Sequence, residues 1–260
     1  MNLKLRDLMI LLIGSFEEHK MKNVFCIIPA RGGSKRIPNK NIQLVNGIPL
    51  ISITLTNLLA ADIFEDVFVS TDSKEIQDIS IKYGAVSPFL RPKEISDDFT
   101  PTIDVVRHAL VNLPNILEED IVACVYPTAA LLAPSIFKSA TARYVEQVSP
   151  LSFLIAVAHY PHPIQRSFRL DSQSKIEFIQ PEFLETRTQD LATSYYDAGQ
   201  FYIGRKSLWL NSGSVFENAY GFEIPGNSFV DIDYPEDLEE LRIRIEYNQT
   251  KNPNFESRLP

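Results

Sequence analysis

The chain has 260 residues, 45% of them hydrophobic and 22% charged, an ordinary balance for a globular protein large enough to bury its own core. A formal net charge of −8 argues against a nucleic-acid surface, which would need a basic face. The 2 cysteines, Cys26 and Cys124, sit in apolar runs without Cys or His neighbours; this excludes a thiolate metal site and fits buried small hydrophobes in a reducing, cytoplasmic setting.

Residues 1–20 read as an N-terminal extension. Leu8–Ile13 is too short to span a bilayer, and Arg6-Asp7 with no small-residue cleavage site speak against a signal peptide, so no membrane association is expected. Met21 directly precedes the first strand and marks an alternative start of translation. Asn23–Ile28 is a β-branched apolar run, the pattern of a buried strand, and Pro29 stops it. The next stretch, to Asn41, carries paired glycines and the cations Arg31, Lys35, Arg36 and Lys40. Glycines let backbone amides close on an anion, and the cations match a polyphosphate. The expected ligand is a nucleoside triphosphate, held by Arg31, Gly32, Gly33, Ser34, Lys35, Lys40 and Asn41. Neither the P-loop spacing nor Gly-x-Gly-x-x-Gly is present. A solvated basic loop is the competing reading; a position straight after a buried strand, where open-sheet crevices form, weighs against it.

Further along, Pro49–Ala61 reads as a helix with Pro in its first turn, Val67–Ser70 as the second strand, and Lys74–Tyr83 as a helix closed by Gly84. Ser70, Thr71 and Asp72, at that strand's carboxyl end, can line the nucleotide, cap the following helix, or both. Thr100 and Pro101 read as cap and first turn of a helix over Ile103–Leu113. Asp120–Tyr126 is a buried strand and Pro134–Val148 a helix. From 152 to 194 the character changes to a polar, β-rich protruding arm; His159 and His162 lack the spacing of a metal site. Phe229–Asp233 is read as the last strand, before a helix from Pro235 with Leu238, Leu241 and Ile245 inward and a tail over 249–260. In a strand, residues i and i+2 share a face, so Asp231 and Asp233 present two carboxylates together. Such a pair repels unless a cation sits between, and hard oxygens suit Mg2+; capping the last helix is the alternative role.

Ala30-Arg31-Gly32-Gly33-Ser34-Lys35 with Ile37-Pro38-Asn39-Lys40-Asn41 resembles the signature of the cytidylyltransferases that activate nine-carbon 2-keto acids, the CMP-sialic acid synthetase family with its pseudaminic acid relatives. The similarity runs over roughly 22–245. It implies an α/β, Rossmann-like fold of the nucleotide-diphospho-sugar transferase type, with a mostly parallel sheet flanked by helices. The core would be 21–151 and 195–248, and 152–194 a dimerisation insert that lends residues to the partner's sugar site. It implies a homodimer using CTP, a nine-carbon sugar acid and Mg2+ on Asp231 and Asp233, with Arg31 and Lys40 as further catalytic residues. Ser70, Thr71 and Asp72 would lie at the nucleotide, Arg91 on CTP, and Thr100 and Thr102 around the cytosine. Tyr126 stands, near Thr128, where relatives carry the glutamine of Leu-Gln-Pro-Thr that touches the sugar. Arg187 and Gln189 match an Arg-x-Gln stretch, suited to gripping the sugar's carboxylate. Tyr195–Tyr202 occupies the place of Asn-Gly-Ala-Ile-Tyr, with Gln200 and Tyr202 toward the sugar; its Asp-Ala-Gly-Gln-Phe-Tyr form, with Tyr160-Pro-His-Pro, resembles the pseudaminic acid branch. Sialic and legionaminic acids are the alternative substrates, and no general base can be identified. Two other classes compete. A non-catalytic nucleotide binder should have lost a metal or phosphate group, yet both are present. A glycosyltransferase would carry its Asp-x-Asp mid-domain rather than at the end of the last strand.

Overall fold

The computed structural model describes residues 23–251. The leader expected at 1–20 lies outside them, and the tail expected from 249 begins within the final helix and then leaves the described residues. In chain order the elements are β1 (Val24–Pro29), β2 (Leu44–Val45), β3 (Ile48–Pro49), α1 (Leu50–Ala60), β4 (Val67–Ser70), α2 (Lys74–Lys82), α3 (Thr102–Asn112), β5 (Ile121–Val125), α4 (Pro134–Gln147) and β6 (Leu154–His159). They continue with β7 (Phe168–Leu170), β8 (Ile176–Phe178), β9 (Tyr195–Arg205), α5 (Lys206–Asn211), β10 (Tyr220–Glu223) and α6 (Pro235–Lys251). Helix ends fall within about a residue of the sequence reading.

The central sheet has 6 strands in the order β10-β6-β9-β5-β1-β4. β1 is parallel to β4 and β5, and β10 to β6, whereas β9 runs antiparallel to both its neighbours. Alternating side chains of these apolar strands enter two layers, as the two-residue period requires. Cys26 and Ile28 pack with Ile51, Leu55 and Leu58 of α1 and with Phe137 and Ala140 of α4. Phe25 and Ile27 pack on the other face with Ile103, Val106 and Leu110 of α3 and Trp209 of α5. The buried indole of Trp209 donates to Val122 O at 3.1 Å. Both cysteines are free and buried in these layers.

A third cluster decides where the site lies. Ile37 of the cationic loop, Val45 of β2, and Leu50 and Ile53 of α1 pack with Val230, Ile232, Leu238, Leu241 and Ile245 from the far end of the chain. The β2–β3 hairpin reaches this cluster by turning on Asn46 and Gly47, at φ 50° and 81°, the left-handed pair that a tight Asn-Gly turn uses.

The structure differs from the sequence reading at two places. Phe229–Asp233 forms no strand. Its backbone groups are satisfied by side chains instead of a neighbouring strand: Arg244 Nη1 donates to Phe229 O at 2.8 Å, Lys40 Nζ donates to Ile232 O, and Asp233 N donates to Asp237 Oδ2 at 2.7 Å. The alternation persists all the same, with Val230 and Ile232 inward and Asp231 and Asp233 outward. The stretch expected as an insert, 152–194, begins inside the central sheet, since β6 pairs with β9 and β10. What lies outside the sheet is one short hairpin, β7–β8, with 3-10 turns, and Phe168, Leu170, Ile176 and Phe178 are all exposed on it. Among the described residues, no helix is long and apolar enough to cross a membrane.

Candidate active site

β1 and β4 end together, Pro29 opposite Ser70, and Ala30 N donates to Ser70 O at 2.9 Å. The cationic loop leaves the sheet there, at the carboxyl ends of parallel strands where α/β sheets hold their ligands. Three contacts fix its course. Gly32 N donates to Asp72 Oδ1 at 2.8 Å, and a Cβ on Gly32 would stand 3.0 Å from Ser73 Cβ, so glycine permits this approach. Asn41 Nδ2 donates back to Arg31 O at 2.9 Å, and Ile37 is anchored in the third cluster.

The loop then faces a cavity of about 600 Å³. Arg31, Ser34, Lys35, Arg36, Lys40 and Asn41 line it from the loop; Arg91, Asp98, Thr100 and Thr102 from the segment before and into α3; Tyr126, Pro127 and Thr128 from the end of β5; and Asp233 from the closing segment. Each loop cation already has a protein partner. Asp98 pairs with both Arg31 and Lys35, the latter at 2.6 Å. Arg36 Nη1 lies 2.5 Å from Asp233, and Lys40 holds Ile232 O. Lys35 and Arg31 keep the Asp98 carboxyl below the usual carboxylate range. Asp97 also lines the cavity, and its Oδ1 accepts from Thr100 N at 2.7 Å and Thr100 Oγ1 at 2.6 Å, which fixes the turn that carries Asp98.

Arg91 is buried, 4% exposed, with Nε donating to Ser96 Oγ at 3.0 Å; burial lowers its pKa while Asp72 opposes. Burial likewise lowers Lys40, opposed by Asp233 and Asp231. The Asp231 carboxyl is pushed up, first by desolvation and then by the like charge of Asp233. Asp231 does not line the cavity itself but flanks the Ile232 carbonyl that Lys40 grips. Two adjacent carboxylates whose charges oppose one another suit Mg2+, which typically takes one or two carboxylates and completes its shell with water and phosphate oxygens. Among the described residues, no three His, Cys, Asp or Glu side chains gather at metal-binding range.

The other residues singled out from the sequence are spread around this centre. Ser70 and Thr71 are buried beneath the loop, Thr71 Oγ1 accepting from Ser73 N at 3.1 Å. Thr102 Oγ1 and Tyr126 OH are 2.6 Å apart. Tyr202 lines a second cavity of about 300 Å³, which shares Thr102 and Tyr126 with the first and also holds Asp197. Gln200 is buried and spends Nε2 on Ala198 O and Gly199 O, at 3.0 and 3.1 Å. Arg187 and Gln189 lie on the exposed arm, where Arg187 Nε donates to Asp190 Oδ2 at 2.8 Å; neither lines either of these two cavities. The partners that sequence reasoning missed are Asp98 and Asp197. Asp98 meets Arg31 and Lys35 across the fold, where no local signal announces it, whereas Asp197 accepts from Tyr202 within the same strand, β9.

The sequence model of the family described as cytidylyltransferase matches residues 25–245. A pseudaminic acid cytidylyltransferase of Campylobacter jejuni is 41% identical over 230 residues, 88% of this chain and 98% of that protein. A CMP-N,N'-diacetyllegionaminic acid synthase of Legionella pneumophila is 30% identical over 236 residues, 87% of this chain and 97% of that one. Among solved structures, a CMP:2-keto-3-deoxy-manno-octonic acid synthetase complexed with CTP superposes with a TM-score of 0.64 at 17% identity, covering 87% of this chain and 99% of that one. At that identity the likeness shows the fold.

Proposed function

The chain belongs to the cytidylyltransferase family, and from that membership we propose that it transfers CMP from CTP to a nine-carbon 2-keto sugar acid, pseudaminic acid foremost, releasing pyrophosphate. The observation that carries this reading is the meeting of the cationic loop with the Asp233 segment on one cavity of nucleotide size.

Arg31, Lys35 and Lys40 take the triphosphate, whose oxygens replace the Asp98 carboxylate on the first two. Asp72 holds the Gly32 amide, so Asp72 positions the loop from below. Arg91, Thr100, Thr102, Tyr126 and Thr128 all line this cavity; in this reading the first three serve the nucleoside and the last two the sugar acid. The sugar's anomeric oxygen forms a bond to the α-phosphorus while the bond to the bridging oxygen breaks and pyrophosphate departs. Orientation and charge neutralisation supply most of the acceleration in such phosphoryl chemistry. Mg2+ on Asp231 and Asp233 would add neutralisation of the triphosphate. The apolar residues of the β7–β8 hairpin favour a homodimer in which Arg187 and Gln189 reach the partner's sugar carboxylate. The supply of CTP places the reaction in the cytoplasm.

The test is pyrophosphate release from CTP with a panel of pseudaminic, legionaminic and N-acetylneuraminic acids. Turnover fastest with pseudaminic acid is expected. Preference for another acid would reassign the substrate, and no release with any acid would refute the reaction.

A further inference from the structure

Arg36 is the loop cation that the reaction above leaves without a task. Its Nη1 lies 2.5 Å from Asp233 Oδ2, and its guanidinium stands over the Tyr234 ring, 5.7 Å from the centroid. Both contacts land on a fixed piece of backbone, because Asp237 Oδ2 accepts from Asp233 N and from Tyr234 N, each at 2.7 Å. Arg36 and Asp233 line the same cavity, whereas the neighbouring Lys40 is spent on the Ile232 carbonyl. Asp233, one of the two carboxylates read as metal ligands, therefore has a guanidinium seated on it in the empty enzyme. The pair is half open to water, the Arg36 side chain 58% exposed and that of Asp233 45%. Exposed ion pairs are weak, so this one can be exchanged. The tyrosine ring meanwhile keeps the guanidinium near, since the face of a ring attracts a cation.

We propose that Arg36 is a place-holder for the metal: it neutralises Asp233 in the empty enzyme and competes with a divalent cation for that carboxylate. The inference rests on the reading above that Asp231 and Asp233 hold Mg2+. A cation on either oxygen of Asp233 meets the guanidinium within a few ångströms, so the like charges repel and the two cannot share the carboxylate at full strength. The rest of the loop is matched in the same manner, with Asp98 on Arg31 and Lys35. The unloaded site is thus neutralised from within. A divalent ion that comes alone finds Asp233 taken. One that comes with a triphosphate brings phosphate oxygens into the cavity that Arg36 lines, and these give the displaced guanidinium a new partner. Arg36 therefore sets how weakly the enzyme holds metal before the nucleotide arrives.

The test titrates Mn2+, a paramagnetic substitute for Mg2+, into the full chain without nucleotide and follows the loss of the free-ion electron paramagnetic resonance signal. The unaltered enzyme is compared with Arg36→Met, Lys35→Met and Asp233→Asn. Arg36→Met is expected to bind Mn2+ about 3–10-fold more tightly, the scale of releasing an exposed ion pair and one nearby like charge. Lys35→Met removes an equal charge that pairs with Asp98, and is expected to stay within about twofold of the unaltered enzyme. A gain below about threefold in Arg36→Met overturns the proposal. So does an equal gain in Lys35→Met, which would mark the general field of the loop rather than a seat on Asp233. Damage to the segment would weaken Mn2+ binding, the opposite sign, and that result also overturns it, as does an absence of Mn2+ binding by both the unaltered enzyme and Arg36→Met. Asp233→Asn keeps the two readings apart. Binding lost there but unchanged in Arg36→Met ends the place-holder and leaves the metal on Asp233; binding undiminished in Asp233→Asn overturns the metal reading and the place-holder with it.

Discussion

Replacing Ile37 by alanine should weaken the fold and the nucleotide site together. Ile37 sits in the cationic loop, is 4% exposed, and packs against Val230, Ile232, Leu238 and Leu241. Removing its outer carbons forfeits their burial and leaves a cavity, a loss of about 2–5 kcal/mol for such a substitution. The loop can settle partway into the space, so the lower part of that range, about 2–3 kcal/mol, applies here. For a chain of this size that is a fall in melting temperature of roughly 4–12 °C. The same packing sets how Arg36 meets Asp233 and Lys40 meets Ile232 O, so a shift of the loop should raise KM for CTP, on the order of tenfold. Ile37→Val keeps most of the contact and should lose only about 0.5–1.5 kcal/mol, with KM near normal. Urea denaturation followed by circular dichroism reads the first effect; initial rates over a CTP series, taken well below the melting range, read the second. An unaltered denaturation midpoint would refute the packing argument. A destabilised Ile37→Ala enzyme with an unaltered KM would refute the link from packing to site.

Asp231→Ala, and separately Arg31→Ala, should lower kcat/KM by about 100-fold or more, the scale of removing one electrostatic stabiliser, and a chelator should abolish turnover until Mg2+ is restored; near-normal kinetics would remove these groups from the site. Asp98→Asn should bind CTP more tightly in calorimetry than the parent enzyme, because a carboxylate that competes for Arg31 and Lys35 has been neutralised; weaker binding would mean that Asp98 organises these cations instead. The Asp98 carboxyl is held below its ordinary value, so its stabilising contribution is complete above the unfolded pKa of about 3.9 and disappears as pH falls through the lower folded value. Denaturation midpoints measured from pH 6 to pH 2 should therefore decline less in Asp98→Asn than in the parent. Phe168→Asp with Phe178→Asp should yield a monomer by light scattering and leave the circular dichroism spectrum intact; a persisting dimer would move the interface away from the hairpin.

Much of this was legible in the sequence because it is local. The run Asn23–Ile28 before Pro29, the caps and stops of the helices, and the glycine pair among cations report on their own neighbourhoods, and the elements lie where those signals put them. The carboxylate pair was found through its i, i+2 spacing, and that survived even though Phe229–Asp233 pairs with no strand. Alternation records which side is buried, whereas a strand needs a partner, and nothing local announces that Arg244, Lys40 and Asp237 take the partner's place. The two-residue period could not assign Leu154–His159 to the sheet rather than to the arm, since membership depends on β9 and β10 arriving from much later in the chain. The ion pair of Asp98 with Arg31 exists only across the folded molecule, whereas the bond from Tyr202 to Asp197 lies within β9 and was a local spacing left unread. The Asn46-Gly47 turn was a local signal and was overlooked.

The cluster that joins Ile37 to Val230, Ile232 and Leu241 also imposes an order on the making of the enzyme. A growing polypeptide on the ribosome exposes its cationic loop early, but Asp233, which answers Arg36, and Val230, Ile232 and Leu241, which complete the seat of Ile37, follow only much later. A product truncated before residue 229 would carry the loop with one wall of its apolar seat missing. The pocket is therefore complete only once that later segment has joined it.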